Sequence, residues 1–227
     1  MDTDSPVFQK IMSRVLGVKP KPGDKIPTET ELMKEFGLTR YKVRKALSLL
    51  VQMGIIERTP RSGSRIKSIE PEVLSSSMHI QFELADFDEQ EFTEARLMIE
   101  LSMMPYVCRR LSPKDRADLR SIIEDVRRHA SEPMMADELA CNFHLALLKI
   151  CGNRVMMVFA GVLKTYFRQT RHCLENLPSS YFKTVADLFE RLLQHAEQGD
   201  VKAAIDDMQN IIVGFPREPV VRNRVED

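Results

Sequence analysis

The chain has 227 residues, 43% of them hydrophobic, with 33 Lys+Arg exactly offset by 33 Asp+Glu. Such a composition supports one large core or two ordinary ones and excludes an intrinsically disordered polymer. No apolar run approaches the roughly 18 residues of a membrane span, and the first twenty residues lack a leader pattern. Cys108, Cys141, Cys151 and Cys173 form no Cys-x-x-Cys pair and lie among apolar residues of helical period. They read as reduced core thiols of a cytoplasmic protein, and no disulfide framework or zinc motif is expected. The overall neutrality hides an asymmetry: residues 1–68 hold 14 Lys+Arg against 7 Asp+Glu, and the remainder holds 19 against 26. A basic block beside an acidic one suggests that only the first meets a polyanion.

In chain order, Ser5-Pro6 looks like a helix start, and Phe8, Ile11, Met12 and Val15 follow with helical spacing. The run Lys19-Pro20-Lys21-Pro22-Gly23 ends that helix. Thr28 and Glu31 have the spacing of a reciprocal cap, opening a short helix that stops at Gly37. Thr39 caps a third helix with an apolar stripe of Val43, Ala46, Leu47 and Leu50, leaving Arg40, Lys42, Arg44 and Lys45 outward. Segments 55–59 and 64–69 can pair as a hairpin across Pro60-Arg61-Ser62-Gly63. Residues 70–77, rich in serine, read as a linker. Beyond them helical periodicity dominates, with the longest segments near 88–111, 113–130, 134–151, 154–177, 179–198 and 201–214. The expected architecture is mainly α: a winged helix-turn-helix domain at 1–69, a bundle of about six or seven helices at 78–215, and a polar tail at 216–227.

Three short helices and a hairpin suit one physical task. A helix fits the major groove of DNA, and its exposed first turn can place side chains against base edges. Arginine forks onto guanine, whereas threonine and backbone amides suit phosphates. The wording of the sequence agrees. The run Pro22-Gly23-Asp24-Lys25-Ile26-Pro27-Thr28-Glu29 resembles the entry motif of GntR-type bacterial regulators, and 37–47 resembles their recognition helix. Residues 50–56 follow the same pattern, and Gly63 falls at the wing glycine. The resemblance implies operator contacts from Thr28, Thr39, Arg40, Lys42, Arg44, Ser62 and Gly63. Two departures stand out: Thr30 replaces an arginine common after the entry glutamate, and Lys42 replaces a small residue or proline.

The helical block resembles the ligand-binding (FCD-type) domain of the FadR-like branch of that family. The resemblance rests on Glu94-Ala95-Arg96-Leu97-Met98-Ile99-Glu100, on Phe143-His144 with Cys151-Gly152-Asn153, and on Gly199-Asp200 with Ala204. It implies a small-molecule effector, commonly an organic acid gripped with the help of a metal held by one aspartate and three histidines. Here the aspartate position is Ala140 and the histidine positions are His144, Phe189 and a place near Ile211, so no metal or other cofactor is expected. Asp137, seven residues before His144, is about 10 Å away along a helix axis, too far for an ordinary chelate. His172 and His195 have no carboxylate at useful sequence spacing. The implied pocket is metal-free, with Arg96 and His144 and, from a shared helical face, Arg168 and Arg171 supplying positive charge to an acid with an apolar part. The same substitutions also suit a cavity too full to bind anything.

The expected function is therefore effector-controlled transcription regulation, by repression unless the effector activates, as a homodimer on a palindromic operator. Two other readings stay open: a dimeric DNA-binding regulator that needs no ligand, and a small-molecule enzyme. The second lacks any phosphate-binding glycine loop, Gly-x-Ser-x-Gly elbow or paired carboxylate motif.

Overall fold

In the computed structural model, residues 5–213 are described apart from 18, 60–62, 69, 86 and 179. The polar tail at 216–227 and Ser62 lie outside the described residues. The chain forms two compact units, Met1–Glu70 and Pro71–Asp227.

The first unit is built as its punctuation dictates. Helix α1 (Pro6–Leu16) starts with proline at its first position and buries Phe8, Ile11 and Val15. Helix α2 (Glu29–Phe36) opens on a capping box: Glu31 N–H donates to Thr28 Oγ1, and Thr28 N–H donates to the Glu31 carboxylate. Gly37 closes it at φ 64°, a left-handed turn that lacks the usual Cβ penalty because the residue is glycine. Helix α3 (Arg40–Gln52) buries Val43, Ala46, Leu47 and Leu50. Strands β1 (Ile56–Thr59) and β2 (Gly63–Ile66) pair antiparallel, with Ile56 opposite Ile66. The segment before α2 lies along the other side of β2, where Ile26 N–H donates to Ser64 O at 3.1 Å and Ile66 N–H to Asp24 O at 2.9 Å. Ile26, Leu32, Ile56 and Ile66 thereby join the helices in one core.

The second unit is helical: α4 (Pro71–Leu84), α5 (Glu89–Arg110), α6 (Pro113–Arg128), α7 (Pro133–Ile150), α8 (Ala160–Gln169), α9 (Tyr181–Gln198) and α10 (Val201–Val213). Asp88 with Glu91, and Ser112 with Asp115, form the capping boxes of α5 and α6. Two expectations need correction. Residues 71–77 are not a linker but the first half of α4. Their serines carry a loop signal, yet Ser75 is only 2% exposed because α4 packs onto α8 at Gly161. A Cβ on Gly161 would stand 2.8 Å from Ser75 O, so glycine is what admits the α4 backbone. His79 Nδ1 and Thr165 Oγ1 add a 2.8 Å hydrogen bond across the same contact.

Nor is 154–177 one continuous helix. It is α8 flanked by 3-10 segments at Met156–Phe159 and Thr170–Asn176. At the second junction the Thr170 hydroxyl donates to Tyr166 O at 2.9 Å, the kind of side-chain competition that tightens a last turn.

Gly161→Ala is expected to destabilise the folded state by about 1–3 kcal/mol through overpacking. Urea unfolding followed by circular dichroism measures this, and an unchanged midpoint would refute the close α4–α8 approach.

Candidate functional sites

The first candidate surface is the start of α3. Thr39 takes the cap position, its Oγ1 accepting from Lys42 N–H at 3.5 Å. The apolar stripe that buries Val43 and Leu47 rolls Arg40, Tyr41, Lys42, Arg44 and Lys45 into solvent. Arg44 lies 3.5 Å from Glu29 Oε1, a contact that holds its guanidinium over the α2 start. Gly63, at φ 85°, begins β2 in a conformation suited to glycine. Beside it Arg65 Nη1 donates to Gly23 O at 2.7 Å, tying wing to entry loop. Thr28 is exposed, but its hydroxyl also donates to Glu31 at 2.9 Å, so capping occupies it. Tyr41, 74% exposed, is a large aromatic lying off the apolar stripe in the same first turn.

The second candidate is a pocket in the helical unit. Arg96 of α5 and His144 of α7 do meet there, with Ala140, Phe189 and Ile211 in the same lining. Arg96 is 3% exposed and its neighbours explain how a buried cation is tolerated. Its Nε donates to Glu100 Oε1 at 2.8 Å, one helical turn on. Its Nη2 donates to His144 Nε2 at 3.4 Å, while His144 Nδ1 donates to Glu100 Oε2. The guanidinium also stacks 4.3 Å from the Tyr166 ring centroid.

Electrostatics follow from this closed cluster. Burial pushes His144 below its ordinary value, so the ring is neutral with its proton on Nδ1. Burial alone would raise the Glu100 carboxyl, but His144 and Arg96 hold it down, to about 2. The sequence motif gives Glu100 no evident role, although its i, i+4 spacing from Arg96 is a visible signal of pairing.

Arg168 and Arg171 do not join the pocket. Helix α8 turns Leu163, Tyr166 and Phe167 inward, so Lys164 and Arg168 stand on its exposed side, and Arg171, in the 3-10 segment that follows, is exposed as well. The remaining walls are apolar or aromatic, and Phe143 stacks on Phe189 at 3.9 Å between centroids. The cavity is about 30 Å³, space for a water or two. The metal common in related domains does not fit these residues. Ala140, Phe189 and Ile211 offer no donor, and both nitrogens of His144 are engaged by Glu100 and Arg96. The two histidines judged to lack carboxylates in sequence find them in space. His195 Nδ1 lies 2.6 Å from Asp207, which also binds Arg191, and His172 lies 3.5 Å from Glu89.

The family of FCD domains matches residues 91–213, and that of bacterial regulatory proteins, gntR family, matches residues 3–66. The chain belongs to the GntR family. It is a DNA-binding transcriptional regulator with an FCD effector-binding domain. Among relatives, it is 24% identical over 155 residues to the HTH-type transcriptional regulator LutR of Bacillus subtilis, covering 66% of this chain and 71% of that one. It is 30% identical over 148 residues to the Uxu operon regulator of Haemophilus influenzae, covering 63% of this chain but only 53% of that regulator. A solved structure of Streptococcus agalactiae GntR has the same fold, with a TM-score of 0.59 at 21% identity over 91% of this chain and 95% of that one. Among the described residues no helix is long and apolar enough to cross a membrane.

Both titrating groups of the pocket cluster predict acid sensitivity. Below 6.5 the unfolded chain binds a proton that buried His144 refuses, so stability falls as pH falls. Below the ordinary 4.5 of Glu100 a second loss begins and runs on toward about 2. Glu100→Gln is expected to cost about 3 kcal/mol or more at neutral pH and to flatten the second loss. Urea midpoints across about pH 2–8 measure both effects, and an unchanged profile in the variant would refute the assignment.

Proposed function

We propose that this regulator represses transcription as a homodimer on a palindromic operator and is released by a small organic anion with an apolar part, bound with no metal in the Arg96 pocket and without catalysis. One observation carries the effector reading: a buried guanidinium, Arg96, lies in a pocket otherwise walled largely by aromatic and aliphatic side chains. Glu100 and His144 use two of its five N–H donors, and a carboxylate can compete for the rest. At about 30 Å³ the cavity admits such an acid only as side chains and helices separate. Binding would thus favour a different packing of α5, α8, α9 and α10, which is the differential interaction that effector control requires.

On the DNA side, Arg40 would read a base edge, and Thr39, Lys42, Arg44 and the wing at Ser62 and Gly63 would set position on the backbone. The exposed first turn of α3 supports this. A dimer supplies the second half-site that one short helix cannot.

A second reading, a dimeric regulator that needs no ligand, is favoured by the small cavity and by the internal pairing of Arg96. A thermal-shift screen of carboxylic acids, with and without chelator, followed by operator mobility shift of each hit, separates the two. The effector reading expects a hit that still shifts the chelator-treated protein relative to its own ligand-free control, releases DNA from the wild type and does nothing to Arg96→Met. Operator binding with no hit supports the second reading.

Arg40→Ala is expected to abolish protection of the operator at the wild-type concentration, consistent with about 1–3 kcal/mol lost per half-site. Lys42→Ala should instead weaken specific and random DNA alike and lower the salt slope by about one per protomer. Retained footprinting by Arg40→Ala would overturn the base-reading role.

A further inference from the structure

We infer that Glu89, His172 and Cys173 form a zinc-class metal site, separate from the Arg96 pocket, that clips the start of α5 to the 3-10 segment following α8. Among the described residues these side chains are the one group of three metal-ligating types brought together, with their donor atoms all within 4.8 Å of one another. His172 Nε2 lies 3.3 Å from Cys173 Sγ and 3.5 Å from Glu89 Oε1. A tetrahedral zinc with bonds of 2.0–2.3 Å places neighbouring donors about 3.3–3.8 Å apart. Two of the three edges therefore already have the required length.

The orientation of the imidazole is the second observation. His172 Nδ1 donates to Gln169 O at 2.7 Å, which leaves the Nε2 lone pair facing the thiol and the carboxylate. A backbone carbonyl on the far nitrogen is the usual outer tie of a metal-bound histidine. Three acceptor-type groups thus converge on one point. A divalent cation resolves that convergence. The Cys173 thiol loses its proton to solvent, thiolate and carboxylate together balance the two positive charges, and imidazole completes a mixed soft and hard donor set. Cys173 is buried, Glu89 half-buried and His172 exposed, so the approach and a fourth, water ligand lie on the His172 side.

The site would hold two walls of the pocket at a fixed spacing. Arg96 is seven residues, about 10 Å, along α5 from Glu89, and the 3-10 segment continues directly from the α8 turn carrying Tyr166 and Phe167. None of its ligands occupies a position of the metal site common in the family. Nothing in it depends on an organic effector.

The test is a cobalt titration of the chelator-treated full-length protein. The expected result is a thiolate-to-cobalt charge-transfer band that saturates at one ion per protomer, is bleached by zinc, and is lost in Cys173→Ser. His172→Ala, a change at an exposed side chain, should weaken cobalt about a hundredfold or more while leaving the circular dichroism spectrum and operator binding intact. Zinc should raise the melting temperature of the wild type but not of His172→Ala. Absence of the band in the wild type, or an unchanged cobalt affinity in His172→Ala, would overturn the inference.

Discussion

The helical unit is organised around a charge that has nowhere to go. Arg96 is buried in a wall of aromatic side chains, and an isolated cation there would cost far more than its hydrophobic surroundings return. Glu100, one turn along the same helix, supplies the counter-charge, and neutral His144 from α7 closes the cluster by donating to Glu100 and accepting from Arg96. The positions of α5 and α7, the tautomer of His144 and the ionisation of Glu100 are then no longer independent. The same closure explains why this pocket does not suit the metal that the family resemblance implies. The resident cation is a guanidinium, and the histidine that would have been a ligand is already engaged on both sides.

A closed polar cluster of this kind is well suited to a switch. It is stable when complete, and an incoming carboxylate can replace Glu100 or share Arg96 only by disturbing the packing around it. The cavity is too small for passive entry, so under the proposed reading binding and rearrangement of the surrounding helices would occur together. A ligand that stabilises an expanded arrangement has the differential affinity from which control can arise. The DNA-reading unit follows the opposite plan. Its caps and turns hold a short helix rigidly against a three-helix core, with the polar residues of its first turn left in solvent. Recognition there needs presentation, not plasticity.

The α4–α8 contact shows a third principle at work. Gly161 removes a side chain where two backbones approach, and the Ser75 and Thr165 region packs into the space that remains. Neighbouring Thr170 then tightens the chain into the segment that carries His172 and Cys173. Backbone proximity at one glycine and a turn at one threonine thus place two metal-ligating side chains beside the first residue of α5.

Much of this protein was legible along the chain because its signals are local. The capping pair of Thr28 and Glu31, the turn at Gly37 and the apolar stripe of α3 act over three or four residues, within reach of a periodicity argument. Arg96 and His144 were also identified as pocket residues, through the motifs that contain them. What failed was whatever depends on distant partners. The serines at 75–77 read as a loop because the burial of Ser75 against α8 cannot be seen in their own neighbourhood. Arg168 and Arg171 share a helical face, but periodicity does not say which face turns inward. His172 and His195 looked bereft of carboxylates because Glu89 is 83 residues away and Asp207 belongs to the next helix. The sequence by itself determined the DNA-reading unit and most of the helices, though not the start of α4 or the breaks around α8, since hydrogen bonds within one or two turns decide these. Only the tertiary structure decided the charge cluster, the size of the pocket and the Glu89–His172–Cys173 constellation, because each requires side chains from separate helices to occupy one small volume.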